Sequence, residues 1–148
     1  MADWPKVDPA LMSKALNMCF GCGKDNPIGL KLAFVWNGET ASTEFIPLEV
    51  HQGWAGIVHG GMMQVLLDEA MSYAAESNGV HCVTAEMQSR LKRPAVVGEP
   101  LVITSSVRSK NRKLVRTQAT ITLRDGTPVA EGTGTHFIFR QKPFEGSR

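Results

Sequence analysis

Hydrophobic and polar positions change period twice along the chain. Leu32, Phe34 and Trp36 alternate with Lys31, Ala33 and Val35, so Leu30–Trp36 reads as a strand with one buried face. Asn37-Gly38 is a strong hairpin signal, and Thr40–Ile46 is the returning strand. Pro47–Val58, with Gly53 and Gly56, reads as a loop. From Gly61 to Ser77 the period becomes helical, with strong helix formers and no proline or interior glycine. Met62, Met63, Val65, Leu66, Leu67, Ala70, Met71, Tyr73, Ala74 and Ala75 cover most of the circumference. A narrow polar stripe remains, Gln64, Asp68, Ser72 and Glu76, with Glu69 beside it. A helix apolar over so wide an arc is buried on most sides. Asn78-Gly79 ends it.

Period two then returns. Val83, Ala85, Met87, Ser89 and Leu91 alternate with Thr84, Glu86, Gln88, Arg90 and Lys92. Pro94–Pro100 is a connection. Leu101–Arg108 and Leu114–Arg124 are strands joined through Lys110-Asn111-Arg112, and Asp125-Gly126 marks the hairpin into a last strand, Val129–Arg140. Gly132 and Gly134 let that strand bend or be approached closely. Short links require antiparallel pairing. The order predicts an α+β domain, an antiparallel sheet of about six strands wrapped around one long central helix. One helix leaves part of such a sheet to be covered by a partner subunit. Residues 1–18 read as a lead-in, with a helical turn around Pro9–Asn17, residues 19–142 as the domain, and residues 143–148 as a loose tail.

Composition narrows the class. The 148 residues are 43% hydrophobic and 20% charged, which fits one globular domain. A net charge of +2 is too mild to specify nucleic acid. There is no run of 18 apolar residues, so no membrane span is expected. Met1–Asn17 lacks an apolar signal core, which points to the cytoplasm. Three cysteines do not make a disulfide framework. Cys19 and Cys22 form one Cys-x-x-Cys. A structural zinc site takes four ligands and only Cys82 and scattered histidines remain, while a redox pair expects a βαβ setting. The expectation is a tight turn with small buried thiols and no metal. No phosphate-binding loop or dinucleotide fingerprint is present, so no cofactor is expected.

Several motifs, in order, carry a resemblance. His59-Gly60-Gly61 opens the helix and Asp68 follows nine positions after His59. Cys19-Phe20-Gly21-Cys22-Gly23 with Asn26-Pro27-Ile28-Gly29-Leu30 precedes it, as does Gln52-Gly53-Trp54-Ala55-Gly56-Ile57-Val58. Thr84, Arg93-Pro94 and Gly98 follow. Over residues 19 to 139 the chain resembles the hotdog-fold thioesterases, in particular their phenylacetate-pathway (PaaI-like) branch. The resemblance implies an acyl-CoA thioesterase working as a dimer or a dimer of dimers, its pocket at the subunit interface.

Thioester hydrolysis needs a stabilised oxyanion and an attacking group. The free N–H groups and positive dipole end of a helix start suit the first. Gly60 permits close approach, or Gly60-Gly61 merely lets the loop turn into the helix. Asp68 belongs to a stripe that alone reads as solvated surface. The resemblance makes it the nucleophile or general base, facing Gly60 of the partner subunit, with Glu69 as its confounder. Thr84 orients water or is a plain strand residue. His59 and Gly61 would lie against substrate, His59 positioning the loop; His51 and His136 read as structural. Relatives of another subgroup hold the thioester carbonyl with an asparagine where this chain has Gly53, with Gln52 adjacent. Arg90, Lys92 and Arg93 form one basic cluster, and Arg108, Lys110, Arg112 and Lys113 another; either could hold coenzyme A phosphates or be solvated. The substrate is acyl-CoA or an acyl carrier protein. Two other readings are a hotdog hydratase or dehydratase, whose Asp-x-Asn-Pro-x-His type motif is absent, and a non-catalytic acyl-thioester binding module.

Overall fold

Gly60–Ser77 winds into α1, an 18-residue helix, in the computed structural model of the protein, which describes residues 17–138. The strands are β1 (Val35–Trp36), β2 (Thr40–Phe45), β3 (Cys82–Leu91), β4 (Leu101–Lys110), β5 (Leu114–Leu123) and β6 (Pro128–Ile138). They form one six-stranded sheet in the order β1-β2-β4-β5-β6-β3, with every neighbouring pair antiparallel. This is the expected architecture, one long helix against an antiparallel sheet. The helical turn around Pro9–Asn17, save Asn17 itself, and the tail at 143–148 lie outside the described residues.

The core sits between α1 and the inner sheet face. Leu66, Leu67, Ala70 and Met71 are fully enclosed and meet Leu101, Ile103, Ile121 and Val129. Each large side chain so buried contributes roughly 1.5–3 kcal/mol. Ala70 and Ala74 keep the helix close to the sheet, where the Ser105 hydroxyl donates to the Ala70 carbonyl at 2.6 Å. The helix starts at Gly60, one residue earlier than expected, with His59 as its N-cap.

Three local departures have physical causes. Leu30–Phe34 keeps the expected alternation of burial, but only Val35–Trp36 pairs as strand. The amides of Leu30 and Leu32 instead donate to Phe20 and Gly21 carbonyls at 2.8 and 2.9 Å, tying this segment to the cysteine turn. Within Pro47–Val58, Glu49–His51 forms a short 3-10 turn. In β3 the register with β6 slips between Thr84 and Glu86, a bulge at Ala85. The extra residue reverses the phase of the side chains. Cys82 and Thr84 on one side of it, and Met87 and Ser89 on the other, therefore all face inward despite their opposite parity.

β3 is an edge strand, ten residues long, and most of it is exposed. Among the described residues no helix is long and apolar enough to cross a membrane.

Candidate active site

The polar stripe of α1 is the seam between the helix and β3, not a solvated face. The Ser89 hydroxyl donates to Gln64 Oε1 at 2.7 Å, and one turn on the Thr84 hydroxyl donates to Asp68 Oδ1 at 2.6 Å. Four-residue spacing on the helix lines the stripe up with the edge strand. The bulge at Ala85 keeps both of its β3 partners on that side. Glu69, one step round the helix, points elsewhere, to the Cys19–Cys22 turn. The two neighbouring carboxylates thus have separate surroundings.

Behind Thr84 stands His136, fully buried and paired with it across the β3–β6 ladder. Its Nδ1 lies 3.2 Å from Thr84 Oγ1 and its Nε2 lies 2.7 Å from Thr117 Oγ1. A hydroxyl has one proton to give, and Thr84 gives its own to Asp68. The consistent direction is therefore Thr117 O–H to Nε2, Nδ1–H to Thr84, and Thr84 O–H to Asp68. Burial holds the imidazole pKa below its usual value, with the Asp68 charge pulling the other way. Gly134 makes the space: a Cβ there would sit 2.8 Å from His136 Nε2 and 3.0 Å from Thr117 Oγ1. His136, expected to be merely structural, orients the Thr84 hydroxyl. One signal was available, a histidine at an inward position in a strand cleared by Gly132 and Gly134.

Replacing His136 by glutamine should remove this orientation and leave the two threonines imperfectly paired, a loss of about 1–3 kcal/mol, read from thermal unfolding. The folded state disfavours the imidazolium, so the unfolded chain binds the proton more readily. Stability is then full above the unfolded pKa of about 6.5 and falls as pH drops below it. His136→Gln is expected to flatten that part of the pH profile.

The start of α1 holds the second element. Gly61 N–H donates to His59 Nδ1 at 2.9 Å, and the Met62 and Met63 amides reach the His59 carbonyl at 2.9 and 3.3 Å. The Gly60 N–H has no partner among the described residues, so Gly60 rather than Gly61 presents a free donor. His59 acts as N-cap, its side chain accepting from the Gly61 amide. A Cβ on Gly60 would meet only Leu91 Cδ1, at 3.5 Å, so its face is open.

Gln52 closes the preceding loop, its Oε1 accepting from Gly56 N–H at 3.0 Å. Gly53 packs against His59, where a Cβ would come within 3.3 Å of the His59 Cα. His51 accepts from the Leu48 amide through Nδ1 at 2.9 Å, and burial lowers its pKa. Both support the loop.

A cleft of about 730 Å³ opens beside Gly60, with Trp54, Leu91, Lys92, Arg93 and Pro94 in its walls. That is the size of a small-ligand pocket. Lys92 pairs with Glu131 at 2.9 Å and Arg93 with Glu99 at 3.6 Å. Arg90 lies on the outer sheet face in a different groove. Arg112 occupies the β4–β5 turn, where Leu114 pairs with Phe137, at the far end of the sheet from Leu91. The structure thus places Lys92 and Arg93 at the cleft and leaves Arg90 and Arg112 away from it.

One helix on an antiparallel sheet, with a carboxylate on the helix and a free amide at its start, is the hotdog architecture. Residues 55–130 match the family model of the thioesterase superfamily, and the chain belongs to that superfamily. No curated protein sequence matches it. Among solved structures it resembles the Escherichia coli PaaI protein from the phenylacetic acid degradation operon, with 21% identity, a TM-score of 0.73, and coverage of 87% of this chain and 94% of that one. A hypothetical thioesterase of Streptococcus pneumoniae, solved with coenzyme A, matches at 19% identity and TM-score 0.70, covering 74% and 87%. Zebrafish thioesterase superfamily member 2 matches at 21% and 0.72, covering 87% and 97%. At such identities these likenesses speak to the fold.

Proposed function

We propose that the protein hydrolyses acyl-coenzyme A thioesters, or the same thioester on a pantetheine-bearing carrier protein, at a site shared by two copies of the chain. The observation that carries this is the Asp68–Thr84 pair at 2.6 Å, together with a free Gly60 amide on the same helix. Eight residues separate Gly60 from Asp68, roughly 12 Å of helical rise. Both cannot touch one carbonyl from within a single chain. β3 runs from Thr84, beside Asp68, to Leu91, beside Gly60. Antiparallel pairing of two β3 edges about a twofold axis therefore sets the Gly60 end of one copy against the Asp68 end of the other. A long unpaired edge and an exposed Trp54 and Leu91 at the cleft are what such a partner would cover.

In this reading the Gly60 amide of one subunit holds the thioester oxygen as charge builds on it. Asp68 of the other takes a proton from a water that Thr84 helps to place, and the water oxygen bonds to the carbonyl carbon. With Asp68 Oδ1 engaged by Thr84, the second oxygen serves as the base. The tetrahedral adduct expels sulfur as thiolate. A thiol pKa of about 8.5 makes this an easy departure near neutral pH without a dedicated acid. Free acid and coenzyme A result. Lys92 and Arg93 supply positive charge at the cleft mouth for the nucleotide phosphates.

The test is release of free thiol from a panel of aromatic, medium-chain and branched acyl-CoA esters. Thiol release is expected. Loss of an unsaturated acyl-CoA without thiol would identify a hydratase, and binding without turnover of any ester would identify a binding module.

A further inference from the structure

We infer that Cys19, Cys22 and Glu69 bind a thiophilic divalent cation of the zinc class, which ties the N-terminal turn to the catalytic helix. The three side chains each offer one ligand atom, and these atoms all lie within 4.8 Å of one another. Cys19 Sγ is 3.7 Å from both Glu69 oxygens. A tetrahedral ion with bonds of about 2.3 Å to sulfur and about 2.1 Å to oxygen holds neighbouring donors about 3.6–3.8 Å apart. The Cys19–Glu69 contact already has that spacing, and the Cys22 thiol lies within 4.8 Å of both partners. Cys-x-x-Cys by itself offers zinc too few ligands; the fold supplies Glu69, fifty residues from Cys19 along the chain.

The backbone around the thiols is built for their convergence. Cys19-Phe20-Gly21-Cys22-Gly23 closes on itself through Gly23 N–H to the Cys19 carbonyl at 2.9 Å. A Cβ on Gly23 would lie 2.5 Å from the Cys19 nitrogen, so only glycine allows a turn this tight. A Cβ on Gly21 would lie 2.5 Å from Glu69 Cδ, so glycine also lets the carboxylate seat over the turn. The spacing Cys-x-x-Cys on one tight turn is common to zinc sites. Without a cation the arrangement sets a carboxylate against two half-buried thiols, and burial with the Glu69 charge pushes the Cys22 thiol pKa well up. A cation reverses the balance: both thiols release their protons to solvent and bind as thiolates, and Glu69 binds as carboxylate. Solvent completes the fourth position. Since Glu69 is the next residue after Asp68, the ion would also fix the rotation of α1 about its axis.

Metal content and metal spectra, not turnover, report on this site, whatever reaction the protein catalyses. The full chain, purified without chelator, is expected to carry about one zinc per chain by elemental analysis. Exchange into cobalt(II) should give the near-ultraviolet thiolate-to-cobalt charge-transfer band and the intense visible bands of a tetrahedral site. Cys22→Ser should abolish the charge-transfer band or greatly weaken it, Glu69→Gln should lower zinc content, and Asp68→Asn should leave both unchanged. The cobalt spectrum of the unaltered chain needs no variant to fold. Absence of a thiolate band when cobalt(II) alone is offered to the zinc-stripped chain, a Cys19–Cys22 disulfide as the resident form, or equal zinc content in Glu69→Gln would each overturn the assignment.

Discussion

Asp68→Asn is expected to lower kcat/KM for thioester hydrolysis by about 10²–10⁴-fold, the range associated with a general base. Asparagine is isosteric and its carbonyl oxygen can still accept the Thr84 hydroxyl, so the chain Thr117–His136–Thr84 has no reason to rearrange. What disappears is the second carboxylate oxygen as proton acceptor. Stability should change little, and affinity for coenzyme A, measured by calorimetry on the variant, should persist. Unchanged turnover would place the base elsewhere and remove Asp68 from the mechanism. Glu69 is the informative neighbour. It faces the cysteine turn rather than Thr84, so it has no route to the same water.

Gly60→Pro is expected to cost about 10²–10³-fold in kcat, comparable to losing one oxyanion-hole donor, with the fold retained. Proline is well tolerated at the first helical position, where the amide has no helical partner. His59 already has the extended backbone, φ −58° and ψ 133°, that a residue before proline prefers. The only atom near a new Cβ is Leu91 Cδ1, at an ordinary 3.5 Å. The substitution thus removes the free Gly60 N–H and little else. It also tests the shared site. Mixing Gly60→Pro with Asp68→Asn after mild dissociation should restore about one quarter of wild-type activity, since random twofold pairing leaves each mixed dimer one intact site. A site lying within one chain would show no recovery. Unchanged activity in Gly60→Pro would move the oxyanion contact to another donor.

What the sequence made legible follows from the range of each interaction. The helix over 61–77 and the turns at Asn37-Gly38 and Asp125-Gly126 depend on neighbours a few residues apart, and they stand where expected. The bulge at Ala85 does not, because it arises only where β3 meets β6 some fifty residues later. Strict alternation put Thr84 and Ser89 on opposite faces; the bulge puts both against α1. Leu30–Phe34 illustrates a second limit. Its alternation reports burial, and Leu32 is indeed buried, but burial does not say whether the amides bond to a strand or to a turn. For the site, Asp68 and Gly60 emerged through resemblance rather than pattern, since a polar stripe on a helix reads equally as surface. The role of His136 and the separation of Asp68 from Glu69 required tertiary contacts. So did sorting the two basic clusters, of which only Lys92 and Arg93, among the described residues, border the cleft.

Strand order also bears on how the molecule is made. β3 follows α1 directly in the chain, yet among the described residues its one partner in the sheet is β6, the last of their strands. During synthesis the helix and β3 emerge well before the strand that completes them. Closing so long a loop is entropically slow, and waiting surface is prone to aggregation. The Thr84–His136 pair exists only once β6 has docked, so the hydroxyl that engages Asp68 is held from behind only then. A ribosome-bound chain halted before His136 has every residue of the helix and no working orientation of Asp68. The Thr84–Asp68 geometry is thereby tied to the docking of β6.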